Sequence, residues 1–196
     1  MSRISVEAVV NRRQRKDFLR FPWELYRTDP NWVPPLRQNQ QELLGFKSHP
    51  FQNEATVQPF VAYRAGKVCG RIAAIVHRAH NQRYREQRGF FGFFETVEDY
   101  PVAEALLQTA ADWVRARGMD RIRGPLNFTT NHEVGLLVDG FDRPPVIMMT
   151  YNPAYYARFI EQYGFRKAMD LYAYYGTDDQ PIPERVIRVI ERVKER

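Results

Sequence analysis

The chain is poor in the residues on which several chemistries depend. One of its 196 residues is cysteine, Cys69, which excludes an internal disulfide and fits a reducing compartment. Serine occurs only as Ser2, Ser5 and Ser48, and no G-x-S-x-G elbow forms, so serine-hydrolase chemistry lacks its nucleophile. The histidines, His49, His77, His80 and His132, show no H-E-x-x-H spacing; with a single cysteine they give no metal-ligand pattern, and no metal is expected. Walker and G-x-G-x-x-G loops are missing as well. No apolar run approaches the roughly 18 residues that span a bilayer. The opening MSRISVEAVVNRRQRK has no apolar core of the kind a secretory signal carries. The expectation is a cytoplasmic protein without a membrane span.

What is present is charge, aromatic side chains and proline. Lys and Arg number 29 against 23 Asp and Glu, a net charge of +6. Basic residues gather at Arg12 to Lys16, at Arg78 to Arg88 and toward the C-terminal end. A solvated basic surface accounts for this; so does attraction to a phosphate-bearing ligand or an acidic carrier protein. Nucleic acid is not expected, because no helix-turn-helix, zinc-finger or RNP pattern accompanies the charge. Hydrophobic residues make up 44% and aromatics 14%, enough for one mid-sized globular domain.

The chain is organised around RGFFGFFETVEDYPVAEALLQTAADWVRARG, Arg88 to Gly118. Gly89 to Glu95 reads as a buried strand, followed by an acidic turn and an amphipathic helix opened by Pro101. Val102, Leu106, Ala110 and Trp113 form one stripe at helical spacing. Arg115 and Arg117 suit the negative end of that helix, and Gly118 its C-cap. A strand aimed at a helix N-terminus is where backbone amides can meet an anion.

Around it, Ile4 to Val10 predicts a first strand, and Asn11 caps a helix running to about Tyr26. Arg27 to Arg37 is a proline-rich loop that Trp32 and Val33 pin to the body. Gln38 to Leu44 forms a short helix. Val57 to Arg64 and Lys67 to His77 are strands joined by Ala65-Gly66; the second is apolar on both faces, so it is central and Cys69 is core. Ala79 to Arg88 is a polar connection. Met119 to Pro125 is a fifth strand, Pro153 to Tyr163 a helix, and Phe165 to Tyr175 a last strand. Glu184 to Arg196 is a basic amphipathic helix.

The order β-α-α-β-β-β-α-β-α-β over Ile4 to Tyr175 resembles the GNAT superfamily of N-acetyltransferases. YNPAYYARFIEQYGFRK is similar to the family's second cofactor-side motif: an Asn, a helix, then Gly-Phe opening a strand. LRFPWELYRTDPNWVPPLR, GRIAAI, GFFGFFE and RGPLNFTTNHEVGLLVDGF together resemble a group of longer bacterial GNAT-like proteins. The resemblance implies an α/β fold with a mixed, mainly antiparallel central sheet flanked by helices. It implies a GNAT-like domain over residues 1–177, with 178–196 a linker or terminal helix, docked on the sheet or in a homodimer, or a junction to further sequence.

It further implies acyl transfer from a thioester, acetyl-CoA or a longer acyl chain on CoA or acyl carrier protein, to an amine. In such enzymes the fourth and fifth strands part, and the fourth meets the pantetheine arm. Phe94, Glu95, Thr96 and Val97 would take that position, Pro101, Val102 and Ala103 would stand near the phosphates, and Asn152 belongs to the second motif. The loop Glu95 to Tyr100 departs from the family pattern. It has no glycine and three carboxylates, where bare amides would wrap a pyrophosphate. Glu98 and Asp99 are expected to cap the helix and repel the phosphates, by about 1 kcal/mol at 4 Å even in bulk water.

Glu95, at the strand's end on the face of Phe91 and Phe93, is the expected general base, its pKa raised by apolar neighbours; a structural charge is the competing reading. Tyr156 and Tyr163, one turn either side of Ile160, are the candidate proton donors, or packing residues. Asn127, Asn131, His132 and Glu133 follow the fifth strand at the mouth of the splay. They are candidate substrate contacts, with His132 beside Glu133 as an acid/base pair, or a structural loop. The competing function is a degenerate, non-catalytic GNAT module that binds a ligand or partner.

Overall fold

A computed structural model describes residues 2–129, 131–174, 176 and 181–194. It divides the chain into two compact units, Met1–Arg166 and Lys167–Arg196. The first unit begins by pairing β1 (Ile4–Ala8) antiparallel with β2 (Ala55–Arg64). Ala65 and Gly66, both left-handed at φ 48° and 75°, then turn β2 onto β3 (Lys67–His77); two positive φ values match the turn to the twist of the strands. β4 (Arg88–Thr96) pairs antiparallel with β3, and β5 (Arg121–Arg123) runs parallel to β4. The five strands lie in sequence order. The unbroken apolar run of β3 therefore sits mid-sheet and is buried on both faces.

Each face carries its own core. On one, α4 (Tyr100–Arg115) buries Val102, Ala103, Leu106, Leu107, Ala110, Ala111 and Val114. It packs there beside α5 (Tyr155–Tyr163), over Phe91, Phe94, Ile72 and Cys69. Each fully buried Leu or Val is worth about 1.5–3 kcal/mol. On the other, α1 (Arg12–Leu25) presents Phe18 to Ile75, Phe90, Phe93 and Phe128. A reciprocal cap starts α1: Asn11 Oδ1 accepts from Gln14 N at 3.0 Å, and Gln14 Oε1 accepts from Asn11 N at 3.3 Å. Short α2 (Arg37–Leu43) adds Leu43 to this second core.

Three expectations fail. The connection after β3 contains a helix, α3 (Arg78–Tyr84), because His77 Nδ1 caps its first turn by accepting from His80 N. β5 covers three residues rather than Met119 to Pro125. Residues 166–174 form no strand; Tyr175 lies outside the described residues. Phe165 packs on Phe91 instead, ring centroids 5.2 Å apart.

The second unit holds α6 (Glu184–Lys194), with Val186, Ile187, Ile190 and Val193 along one side and no buried residue. Residues 177–180, which span the expected domain boundary, lie outside the described residues, as do Glu195 and Arg196. Among the described residues, no helix is long and apolar enough to cross a membrane.

Candidate functional site

β4 and β5 part early. Their ladder covers Arg88 to Phe90 only. Beyond it the chain from Gly124 to Asn127 leans on β4 without forming a strand. Leu126 N donates to Phe91 O at 2.8 Å, and Phe93 N donates to the side-chain Oδ1 of Asn127 at 2.8 Å. Gly92 and Gly124 permit this approach: a Cβ at Gly92 would lie 2.3 Å from Leu126 O, and one at Gly124 2.4 Å from Phe91 O.

At the parting β4 bulges. Gly92 faces Ala73 and Glu95 faces Arg71, so Phe93 and Phe94 together oppose Ile72, and Phe93 takes φ 50°. The extra residue corrects the sequence reading of this strand. Phe91 and Phe93 belong to opposite cores, and Glu95 points to the α1 side with Phe93. A non-glycine residue held at positive φ next to buried charges is where strain and function tend to coincide.

Glu95 Oε2 accepts two phenolic hydroxyls, Tyr26 at 2.7 Å and Tyr156 at 2.8 Å. Its Oε1 lies 3.7 Å from Arg71 Nη2, and its side chain is 13% exposed. Arg71 sits between the rings of Phe18 and Phe93, with Nη1 donating to Phe18 O at 3.0 Å. Pro22 explains why that carbonyl is open. It stands four residues after Phe18 inside α1 and has no N–H to return to it. Glu133 completes the group, held by Asn127 Nδ2 at 2.8 Å.

Burial pushes the carboxyls of Glu95 and Glu133 above the ordinary carboxylate range. Arg71 opposes the rise at both, the two hydroxyls also at Glu95 and the Asn127 amide at Glu133. Burial also raises Tyr26 and Tyr156, with Glu95 adding to it, so both stay protonated donors.

Arg71, Glu95, Asn127, Glu133 and Tyr156 line a cavity of about 90 Å³ shared by Gln40, Tyr151, Asn152 and the apolar Trp32, Val33, Pro35, Leu136 and Met149. One side of it is the proline-rich loop, through Trp32, Val33 and Pro35. Trp32 stacks on Tyr26, centroids 5.1 Å apart, and Asp29 accepts from Tyr151 Oη at 2.7 Å. Trp32, flanked by Tyr26 and Trp23, pins the loop as expected; Val33, which also lines the cavity, is 53% exposed.

The other sequence candidates are placed as follows. Tyr163 donates to Gln108 on α4, outside the Glu95 cluster. Thr96 is fully buried, and its backbone is held by α5: its N donates to Tyr156 Oη at 2.8 Å, and its O accepts from Tyr155 Oη at 2.7 Å. Phe94 packs on Tyr156, and Val97 is half-buried against the same core. Val102 and Ala103 turn their side chains into the core while their amides bond Asp99 O; Pro101 is exposed.

Glu98 and Asp99 do not cap α4, contrary to expectation. Arg158 takes Glu98 at 3.4 Å and Arg64 takes Asp99, leaving no side-chain cap bond. Asn152 holds the backbone of Leu137, accepting from its N at 2.7 Å and donating to its O at 3.3 Å. His132 and Glu133 are not paired: His132 Nδ1 meets Thr129 Oγ1 at 3.0 Å, and burial lowers its pKa. Asn131 is exposed, and Thr130 lies outside the described residues. Among the described residues, no group of three or more His, Cys, Asp or Glu is placed to hold a metal ion.

Tyr26, Gln40 and Arg71 were missed. Arg71 carried the one readable signal, a lone charge within the apolar run of β3.

No family model matches the chain. Among curated proteins it is 39% identical over 170 residues to Protein YghO of Escherichia coli, covering 87% of this chain and 43% of that protein. It is 38% identical over 190 residues to a bacterial ceramide synthase of Caulobacter vibrioides, covering 96% and 50%. The chain thus spans about half the length of these relatives. Among solved structures it resembles an aminoglycoside acetyltransferase from an uncultured soil metagenomic sample in complex with sisomicin (TM-score 0.53, 11% identity, 89% and 95% covered). It also resembles aminoglycoside N-acetyltransferase AAC(6')-Iy in complex with CoA (TM-score 0.52, 12% identity, 90% and 96% covered).

Proposed function

The chain has the GNAT acetyltransferase fold, and from that premise we propose that residues 1–177 form an acyl-transfer domain. It moves an acyl group from a thioester, on CoA or acyl carrier protein, to the amine of a long-chain acceptor. The observation that carries this reading is Glu95: a buried carboxylate at the end of β4, beside a cavity, with one oxygen held by two tyrosines. The named function of the Caulobacter relative supports the acceptor class, a ceramide being the amide of a fatty acid and a long-chain amino alcohol.

The roles follow from the geometry. Glu95 Oε1, which no hydroxyl occupies, takes a proton from the amine as the C–N bond forms, its raised pKa making it a stronger base than an ordinary carboxylate. Tyr156 gives its proton to the sulfur as the C–S bond breaks. The Glu95 carboxyl, whose Oε2 lies 2.8 Å from Tyr156 Oη, then turns to return the proton held on Oε1 to that oxygen, so the products are an amide and a thiol and the enzyme is unchanged. Asn127 and Glu133 position the acceptor on the far wall, and Arg71 keeps the two carboxylates from repelling one another.

A second reading, a non-catalytic module that binds a ligand or partner, is favoured by one observation. Thr96's N–H and C=O, the strand-edge groups that would meet a pantetheine arm, are already held by Tyr156 and Tyr155. Calorimetric titration with acetyl-CoA, long-chain acyl-CoA and acyl carrier protein, followed by an amide-formation assay, separates the two. Saturable donor binding with turnover that falls at least about 100-fold in Glu95→Gln supports the transferase. Turnover unchanged in Glu95→Gln, or no binding of any donor, overturns it.

A further inference from the structure

Two segments that line the cavity carry apolar side chains out into solvent. Val33 and Pro35 of the proline-rich loop line it, as do Pro145 and Met149 of a second loop. Their neighbours reach further out: Leu36 is 78% exposed, Val146 73% and Ile147 93%. Met149 N donates to Val146 O at 3.0 Å and Met148 sits at φ 66°, so Ile147 stands at the tip of a tight turn. The two loops are tied together. Asn31 Nδ2 donates to Phe141 O at 3.1 Å, and Tyr151 Oη to Asp29 at 2.7 Å. Single exposed apolar residues are ordinary, but a group of them around one opening marks a contact surface.

The proline-rich loop also adjoins an excess of positive charge. Residues 12–37 hold seven basic side chains against three acidic ones. All three acids are engaged: Asp17 by Tyr63 Oη at 2.9 Å, Glu24 by Arg20 at 3.6 Å and Asp29 by Tyr151. Arg12, Lys16 and Arg20 follow one another a turn apart along α1, each exposed, and Trp23 comes next in the row. Trp23 packs edge-on to Trp32, centroids 5.4 Å apart, with the Arg37 guanidinium 4.7 Å from its ring. The cationic row thus runs into the apolar loop. Like charges at this spacing, close to the positive end of a helix, destabilise it, so α1 keeps them against its own stability.

We propose that this face of the first unit docks on an anionic lipid bilayer. Leu36, Val146 and Ile147 enter the headgroup boundary, while Arg12, Lys16, Arg20 and Arg37 meet the lipid phosphates. One partner then matches both kinds of side chain. An acidic carrier protein would neutralise the cations and leave the apolar tips uncovered. A second copy related by a two-fold axis would bring the same cations against these. The proposal stands on the surface alone and not on the acyl-transfer reading.

Flotation of the 196-residue chain with vesicles of phosphatidylcholine, and of an equimolar mixture with phosphatidylglycerol, tests it. Binding to the mixture is expected to be tighter by about ten-fold or more. Ile147→Glu should weaken that binding about ten-fold or more. Arg12→Gln and Lys16→Gln should each weaken it about five-fold, on the mixture alone. These residues are exposed, so urea midpoints should not move. α6 is the same in every variant, so the differences belong to this face.

No binding to either vesicle overturns the proposal, as does equal binding to both, or binding that Ile147→Glu leaves unchanged. A dimer seen by light scattering and broken by Ile147→Glu, without vesicle binding, gives the face to a second copy and overturns it too. So does binding of acyl carrier protein, lost in the Arg12 and Lys16 variants, with none to vesicles. Vesicle binding without acyl transfer leaves the docking face standing and removes only the transferase. Acyl transfer without vesicle binding does the reverse.

Discussion

Replacing Gly92 by alanine tests how the site is assembled. The added Cβ would lie 2.3 Å from Leu126 O and 2.7 Å from Asn127 Oδ1. Side-chain carbons are essentially never found closer than 3.0 Å to such atoms, so the segment 126–127 must retreat. Gly92 has no positive φ, so the effect is steric rather than conformational. The retreat breaks two bonds of 2.8 Å, Leu126 N to Phe91 O and Phe93 N to Asn127 Oδ1. Each is worth about 0.5–1.5 kcal/mol, and a buried amide left without a partner costs about 1–3. The expected loss is therefore about 2–4 kcal/mol, read as a lower urea midpoint with an unchanged slope. Because Asn127 also holds Glu133, turnover in the fraction that remains folded should fall as well. Asn127→Ala, which removes the same side-chain bonds without a clash, should lose less. A Gly92→Ala chain with the midpoint of the unaltered protein would refute the argument that the loop rests on bare backbone.

Further outcomes follow from the buried charges. Glu95 has its carboxyl pKa raised by burial, so the folded state holds its proton to higher pH than the unfolded chain does. The stability this contributes is complete below 4.5, the ordinary value, and is lost as pH rises through the raised one. Glu95→Gln, neutral throughout, should therefore gain on the unaltered chain as pH rises, in denaturant melts across that window; a gap independent of pH would sink the assignment. Tyr156→Phe leaves the buried Thr96 N–H unpaired and should cost about 2–3 kcal/mol, whereas Tyr163→Phe should stay within about 0.5; equal effects would contradict their different burial. Arg71→Met strips the largely buried Glu95 carboxylate of its cation and should destabilise by about 3–5 kcal/mol in the same melts.

Much of the framework was legible in the residues. The β2–β3 hairpin announced itself through Ala65-Gly66 between apolar runs, and α1 began at the Asn11 cap because that signal is local. α4 followed from the stripe Val102, Leu106, Ala110. The site was less so. Glu95 stood out as a carboxylate closing an aromatic strand, but its face was misjudged, since a bulge at Phe93 shifts the alternation and leaves no mark in a run of phenylalanines. Tyr26 and Tyr156 reach Glu95 across 69 and 61 residues of sequence, and no period records a contact that distant. Arg71 looked like part of a buried strand because its partner is fixed by register, which is a property of two strands together. Glu98 and Asp99 looked like capping groups because Arg64 and Arg158, which hold them, arrive from β2 and α5.

The outer margin of β4 is finished without a full-length neighbouring strand. After the short pairing with β5, its backbone groups are met one by one: by the Leu126 amide, the Asn127 carboxamide and the phenols of Tyr155 and Tyr156. A sheet that stopped there bare would be an open template on which another copy could zip and aggregate. Side chains end the ladder without extending it, so the molecule guards against self-polymerisation while keeping a gap in the same place.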